Sequence, residues 1–169
     1  MRRTWITGVG LVGLAVGGWT LEGVASAAVA KGKSVQRPFT EVVAGARISS
    51  GSGSRFENVG RVKRSPDGGG AVIQDGQLAG GTFPVSGQEG SITFFRDGVR
   101  TARESFTLGV PNTSGIGTIT GKGTCTGGTG FHKVETCTYT FAGTYDLVTS
   151  VTRVTIRGTD TRPSTAPFH

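Results

Sequence analysis

The sequence predicts an all-β chain, and three observations carry that reading. Glycine is heavily used (30 of 169 residues), strong helix formers are scarce, and threonine, valine and phenylalanine are frequent. Past the amino-terminal segment, apolar and polar side chains alternate, and no window sustains a 3.6-residue period. Clusters of Gly, Pro, Asn and Asp interrupt the alternation at short intervals, as turns between strands do. Glycine without a G-X-Y period excludes a collagen-like chain, and the alternating apolar positions argue against simple disorder.

The amino end reads as an export signal. Arg2-Arg3 are followed by apolar and small residues from Trp5 to Leu21, then by Val24-Ala25-Ser26-Ala27, a small-x-small cleavage site. Cleavage is expected after Ala27, with Ala30 as second choice. Glycines, Thr7, Thr20 and Glu22 weaken the run as a spanning helix, which needs about 20 mostly apolar residues. Arg2-Arg3-Thr4-Trp5-Ile6 is similar to a twin-arginine signal, but paired arginines are ordinary there and the general secretory route is the first expectation. The expected organisation is therefore a signal peptide over 1–27, one domain over 28–160 and a disordered tail over 161–169. The expected location is extracellular, with no stable membrane insertion after cleavage.

The whole chain carries a net charge of +7. Its basic residues are spread out, and the tightest group is Arg61, Lys63 and Arg64. On a strand the first two point one way and the third the other, so they form no continuous stripe. Nucleic acid is not an expected partner, because such footprints cluster.

Eight strands follow in order. Phe39 to Ile48 is the first, after a frayed basic lead-in from Lys31 to Arg37, and Gly51-Ser52-Gly53-Ser54 turns the chain. Arg55 to Arg64 is the second, with Phe56, Asn58, Gly60 and Val62 on one side. Pro66-Asp67-Gly68 breaks it with ordinary turn chemistry. Ala71 to Leu78 is the third, unless Asp75-Gly76 folds it into a small hairpin, and Gly80 to Gly87 reads as a loop. Glu89 to Arg96 is the fourth, with Ile92 and Phe94 on one face and Phe95 on the other. Asp97-Gly98 suits a type I′ hairpin turn. Val99 to Leu108 is the fifth, with Ala102, Phe106 and Leu108 sharing a face. After Pro111 to Gly115 come Ile116 to Thr124, Val134 to Thr144 and Thr149 to Arg157. So many short antiparallel strands favour a closed eight-stranded barrel, which removes exposed edges, over the alternative of a β-sandwich. An eight-stranded barrel has room for one small ligand.

Cys125 and Cys137 flank a glycine-rich segment that lets the chain double back, so they are expected to form a disulfide in an oxidising compartment. A metal site using Cys125, His132, Cys137 and Glu135 is the weaker alternative, since it lacks C-x-x-C spacing and His132 stands alone at the tip of a turn, expected to be exposed. No metal or cofactor is expected. A Ser-His-Asp triad has only His132 to draw on, and Gly115 to Gly123 fails the phosphate-loop spacing. Asn112-Thr113-Ser114 is a glycosylation sequon, of consequence only in a eukaryotic host.

Glu104 alternates with Ala102 and Phe106, which puts a carboxylate on an apolar face. If that face lines a barrel, Glu104 is a buried acid with a raised pKa. The plainer reading places it near a strand end or pairs it with Arg100 or Arg103. Tyr139 and Phe141 alternate on a later strand and are expected to line the same cavity as Glu104 and Phe106.

The segment Gly121-Lys-Gly-Thr-Cys-Thr-Gly-Gly-Thr-Gly-Phe-His-Lys-Val-Glu-Thr-Cys-Thr-Tyr-Thr-Phe-Ala-Gly-Thr-Tyr-Asp146 resembles the carboxy-terminal signature of the allene oxide cyclase and dirigent barrels. The resemblance rests on a Gly-Gly-Thr-Gly turn, a short aromatic and basic segment, and an alternating strand ending in Gly-Thr. It covers about twenty-five residues and implies an eight-stranded antiparallel barrel with a central hydrophobic cavity. It carries no catalytic residue over to a position here, and the paired cysteines depart from the plant motif. Three functions are therefore expected to compete: a binder of a small hydrophobic ligand, an isomerase- or cyclase-like enzyme, and a surface protein with a filled barrel.

Overall fold

In the computed structural model, residues 34–50 and 54–163 are described, and they form a closed eight-stranded barrel. The strands are β1 (Ser34–Ser50), β2 (Arg55–Arg64), β3 (Gly70–Leu78), β4 (Val85–Phe95), β5 (Gly98–Leu108), β6 (Ile116–Gly128), β7 (Thr136–Asp146) and β8 (Val151–Pro163). A short 3-10 helix (Gly130–Val134) lies between β6 and β7. Each strand pairs antiparallel with the next, and β1 closes on β8 from Ser34↔Pro163 to Ala46↔Val151. The barrel is thus an up-and-down meander rather than a sandwich. The segment expected to be an export signal and the residues after Pro163 lie outside the described region.

Several boundaries differ from the expectation. The basic lead-in from Ser34 to Arg37 is strand, held by β8, and β8 runs on through Thr161, Arg162 and Pro163, residues expected in the tail. Arg162 is buried, which explains why the chain stays ordered there. Asp75-Gly76 does not turn: both residues pair on either side, with Glu57 and Phe56 on β2 and with Gly90 and Glu89 on β4. The loop expected from Gly80 to Gly87 gives way to β4 at Val85. The β4–β5 turn is built on Arg96 and Asp97, with Gly98 already paired to Phe95. Neither turn residue has a positive φ, so it is not a type I′ turn. A Cβ at Gly98 would collide with the Thr129 carbonyl, so glycine is required there by the neighbouring loop.

Much of the glycine content serves the interior. Phe56 pairs with Gly76, Phe106 with Gly87, Phe141 with Gly121, Tyr139 with Gly123 and Tyr145 with Gly117. In each pair, a Cβ on the glycine would collide with the partner's ring. The rings lie flat over the bare backbone of the next strand, so five large aromatics fit inside a narrow barrel. Sequence reading attributed the glycines mainly to turns; cross-strand packing accounts for these five.

Cys125 and Cys137 form a disulfide between β6 and β7, with Cα atoms 4.9 Å apart. It sits where the β6–β7 ladder ends at Thr124↔Thr138 and closes the segment holding the 3-10 helix. In the chain-entropy account, a loop this short contributes about 3 kcal/mol. The bond is compatible with an extracellular protein.

Candidate functional site

The interior is divided along the barrel axis. At the lower end, where the β2–β3 turn, the β4–β5 turn and the 3-10 helix gather, charged groups form a plug. Arg162 donates to both carboxylate oxygens of Asp67, at 3.0 and 2.6 Å, and to Glu135 at 3.1 Å. The other oxygen of Glu135 meets Nδ1 of His132 in a short contact. Arg162 Nε lies 2.9 Å from Asp160, off the line of a hydrogen bond. His132 is 1% exposed and its ring stacks on Phe95 at 5.0 Å, so the exposed tip expected for it is wrong. The 3-10 helix folds its side chain inward.

Just above, Arg100 donates to both oxygens of Glu41, at 2.9 and 2.6 Å, and Ser65 donates to the same carboxylate at 2.9 Å. The guanidinium lies over the Phe95 ring at 5.0 Å and the Phe39 ring at 5.8 Å. Glu41 is fully buried. Bidentate pairing and aromatic faces together offset the loss of water around both charges.

The middle of the barrel is different. Glu104 on β5 stands directly across from Glu89 on β4. Tyr139 donates to Glu104 at 2.6 Å and Ser91 donates to the same oxygen at 2.9 Å. Gln74 donates to Glu89 at 3.1 Å. Among the described residues, neither acid has an arginine, lysine or histidine within salt-bridge distance. Burial holds the Glu89 carboxyl well above its usual range, reinforced by the charge of Glu104 and a hydrogen bond to it. The Tyr139 hydroxyl is pushed up by the same causes, so it stays protonated and donates. Burial thus favours the protonated form of Glu89, which faces Glu104 across the ladder.

Above this pair the walls turn apolar. Phe56, Phe106, Leu108, Ile119, Phe141 and Tyr145 line a cavity of ≈ 110 Å³, whose polar lining includes Glu89, Glu104 and Tyr139 and reaches down to Glu41 and Arg100. It reaches Asp146, Leu147 and Ser150 around the β7–β8 turn, which form its mouth together with Arg47.

The expected cavity residues Glu104, Phe106, Tyr139 and Phe141 are brought together here. Glu104 does not take the plainer place: it sits mid-barrel, Arg100 is held by Glu41, and Arg103 is exposed on the outer face. Glu41 carried the same signal, since it alternates with Phe39 and Val43. Glu89 carried none, because its face of β4 reads Gly87, Glu89, Ser91, Thr93, without apolar alternation.

Among the described residues, Asp67, His132 and Glu135 are the set whose ligand atoms approach within 4.8 Å, the geometry a metal ion would need. Arg162 already bonds to Asp67 and Glu135, so a guanidinium supplies the positive charge there. The metal alternative through Cys125 and Cys137 is corrected by their disulfide. Comparison of the chain with protein-family models, with curated proteins and with solved structures finds no match.

Proposed function

We propose that this chain is an exported barrel that binds a small hydrophobic ligand carrying one polar end. The apolar part lies against Phe106, Phe141 and Ile119, and the polar end meets Glu89 and Glu104. The observation that carries the reading is the contrast within one interior: two facing carboxyls without a bonded cation stand in the wall of the cavity between its apolar upper part and Arg100, which Glu41 already holds. Burial favours the protonated form of Glu89, which donates, while Glu104 accepts, so alcohols, amines and acids are all compatible polar ends. The cavity is small beside the roughly 300–1,000 Å³ of drug-sized sites. The ligand is therefore fragment-sized, or inserts one slender end past Leu147.

The resemblance of residues 121–146 to the allene oxide cyclase and dirigent barrels supports a cavity-based activity. It also supports a second reading as an isomerase- or cyclase-like enzyme. For that reading the specific observation is again the carboxyl pair, in which one group is poised to give a proton and the other to take one beside Tyr139.

Native mass spectrometry of the secreted protein, alone and with short-chain alcohols, amines and carboxylic acids, tests the proposal. One adduct per chain is expected, lost in Leu147→Trp, which blocks the mouth. Bare protein under every condition overturns it. Turnover of a bound compound that survives Glu104→Gln overturns a catalytic role for that residue.

A further inference from the structure

The outer surface carries a second feature, independent of the cavity. On β4 the usual alternation is inverted: Gly87, Glu89, Ser91 and Thr93 face inward while Ile92 and Phe94 face out, 41% and 43% exposed. Val59 on β2 and Ile73 on β3 are each 37% exposed. These positions are in register, Val59↔Ile73 and Ile73↔Ile92, so their side chains form one apolar row across three adjacent strands. Phe94 extends it, opposite Ala71 on β3 and Val99 on β5. Burying such a row against solvent-excluding surface is favourable, and contiguous exposed apolar side chains mark contact sites.

The surroundings of the row say what covers it. Along β2, Glu57 lies two residues to one side of Val59 and Arg61 two residues to the other. Asp75, the partner of Glu57, adds to the acidic side; farther out on β2, Arg55 and Lys63 are both basic, so the complementary charges are those next to the row, Glu57 and Arg61. Neither Glu57 nor Arg61 has a salt-bridge partner among the described residues. On β4 the same spacing puts Gly90 on one side of Ile92 and Phe94 on the other. Gly90 is exposed, and a Cβ there would touch nothing.

Acid opposite base and ring opposite glycine, each at equal distance from a central apolar row, is the pattern of a self-complementary surface. We propose that this face of β2, β3 and β4 is a two-fold interface with a second copy of the chain. A two-fold axis running along the row, across the strands, sets Val59, Ile73 and Ile92 against their own counterparts. It reverses the direction along each strand. Glu57 of one copy then meets Arg61 of the other, twice, and each Phe94 ring lies over the other copy's Gly90. Only two copies satisfy this pattern, because an isologous contact consumes the surface on both partners.

Sedimentation velocity on the secreted protein over micromolar to submillimolar concentration tests the interface. A dimer is expected, and Ile73→Glu, which puts a charge at its centre, is expected to give monomer that keeps the circular-dichroism spectrum of the folded barrel. Glu57→Arg and Arg61→Glu, taken singly, set like charges against each other and weaken association by about tenfold or more. Combined in one chain, they restore it, because the new pair has the same geometry with signs exchanged. Monomer at all concentrations overturns the proposal, as does a trimer or a dimer indifferent to Ile73→Glu. Failure of the double variant to recover overturns the stated axis. None of these side chains lines the cavity, so neither result bears on ligand binding.

Discussion

Two groups of buried acids in the same barrel are treated in opposite ways. At the lower end, Glu41, Asp67 and Glu135 each accept from an arginine, and the set ties β1, the β2–β3 turn, the segment after the 3-10 helix, β5 and β8 together. In the middle, Glu89 and Glu104 face each other with only Ser91, Gln74 and Tyr139 as donors. Each of the three acids in the first group accepts from an arginine, and the group closes the barrel end. In the second, compensation is incomplete and the acids line a cavity. A buried charge held by a counter-ion stabilises an architecture, whereas a buried acid without one keeps its chemistry available.

The comparison breaks most readily at Arg162. Arg162→Ala removes the cation common to Asp67 and Glu135 and leaves both carboxylates without their arginine. Loss of one partner from a buried pair costs about 3–5 kcal/mol. Chemical denaturation at neutral pH is expected to show a loss of that size. A change below about 1 kcal/mol would mean that water reaches the lower end and that the plug is ornamental.

The two groups also predict opposite pH limbs. Burial alone would raise Glu135, but the hydrogen bond with His132 and the charges of Arg162, Arg100 and His132 outweigh it and hold its carboxyl low. Its contribution is present above the unfolded value near 4.5 and is lost as pH falls through the lower folded value. Glu89, raised above 4.5, contributes stability that is complete below that value and is lost as pH rises through its folded one. Glu135→Gln should flatten the acid limb and cost about 1.5–3 kcal/mol at neutral pH. Glu89→Gln should flatten the limb above pH 4.5 and leave neutral stability equal or higher. Stability measured across pH in the three proteins checks both. If Glu89→Gln leaves that upper limb unchanged, the middle acids are not coupled as their facing positions require.

How far this contrast was legible from the residues depends on register. Alternation with Ala102 and Phe106 exposes Glu104 as an inward acid, and Tyr139 and Phe141 follow from the same rule. Its partner does not follow. A two-residue turn at Asp97-Gly98 would set Glu104 against Ser91; moving it to Arg96-Asp97 slides the ladder and sets Glu104 against Glu89. At that register Gly98 packs so closely on the Thr129 carbonyl that no Cβ fits, an approach between segments some thirty residues apart. The lower plug is similarly invisible, since Asp67 and Arg162 are separated by 95 residues and meet only because β8 closes on β1. Strand count and closure were readable because they rest on local alternation and turns. Side-chain partnership was not, because it rests on register and closure.

The smallest expected effect on stability falls on Glu104→Gln, which for that reason separates function from architecture best. The glutamine carbonyl oxygen still accepts from Tyr139 and Ser91, and its amide donates to Glu89, so every bond of the pair has a replacement. Neutral stability should change by no more than about 1 kcal/mol. What is lost is one of the two acids, and with it one of the groups able to exchange a proton with a ligand. Ligand adducts through a basic polar end should weaken most, those through an alcohol least, while the Arg162-centred plug and its acid limb stay as they are. Equal weakening of every ligand class would mean that Glu104 shapes the cavity without presenting charge to it, and the division between the two groups of acids would reduce to one of packing.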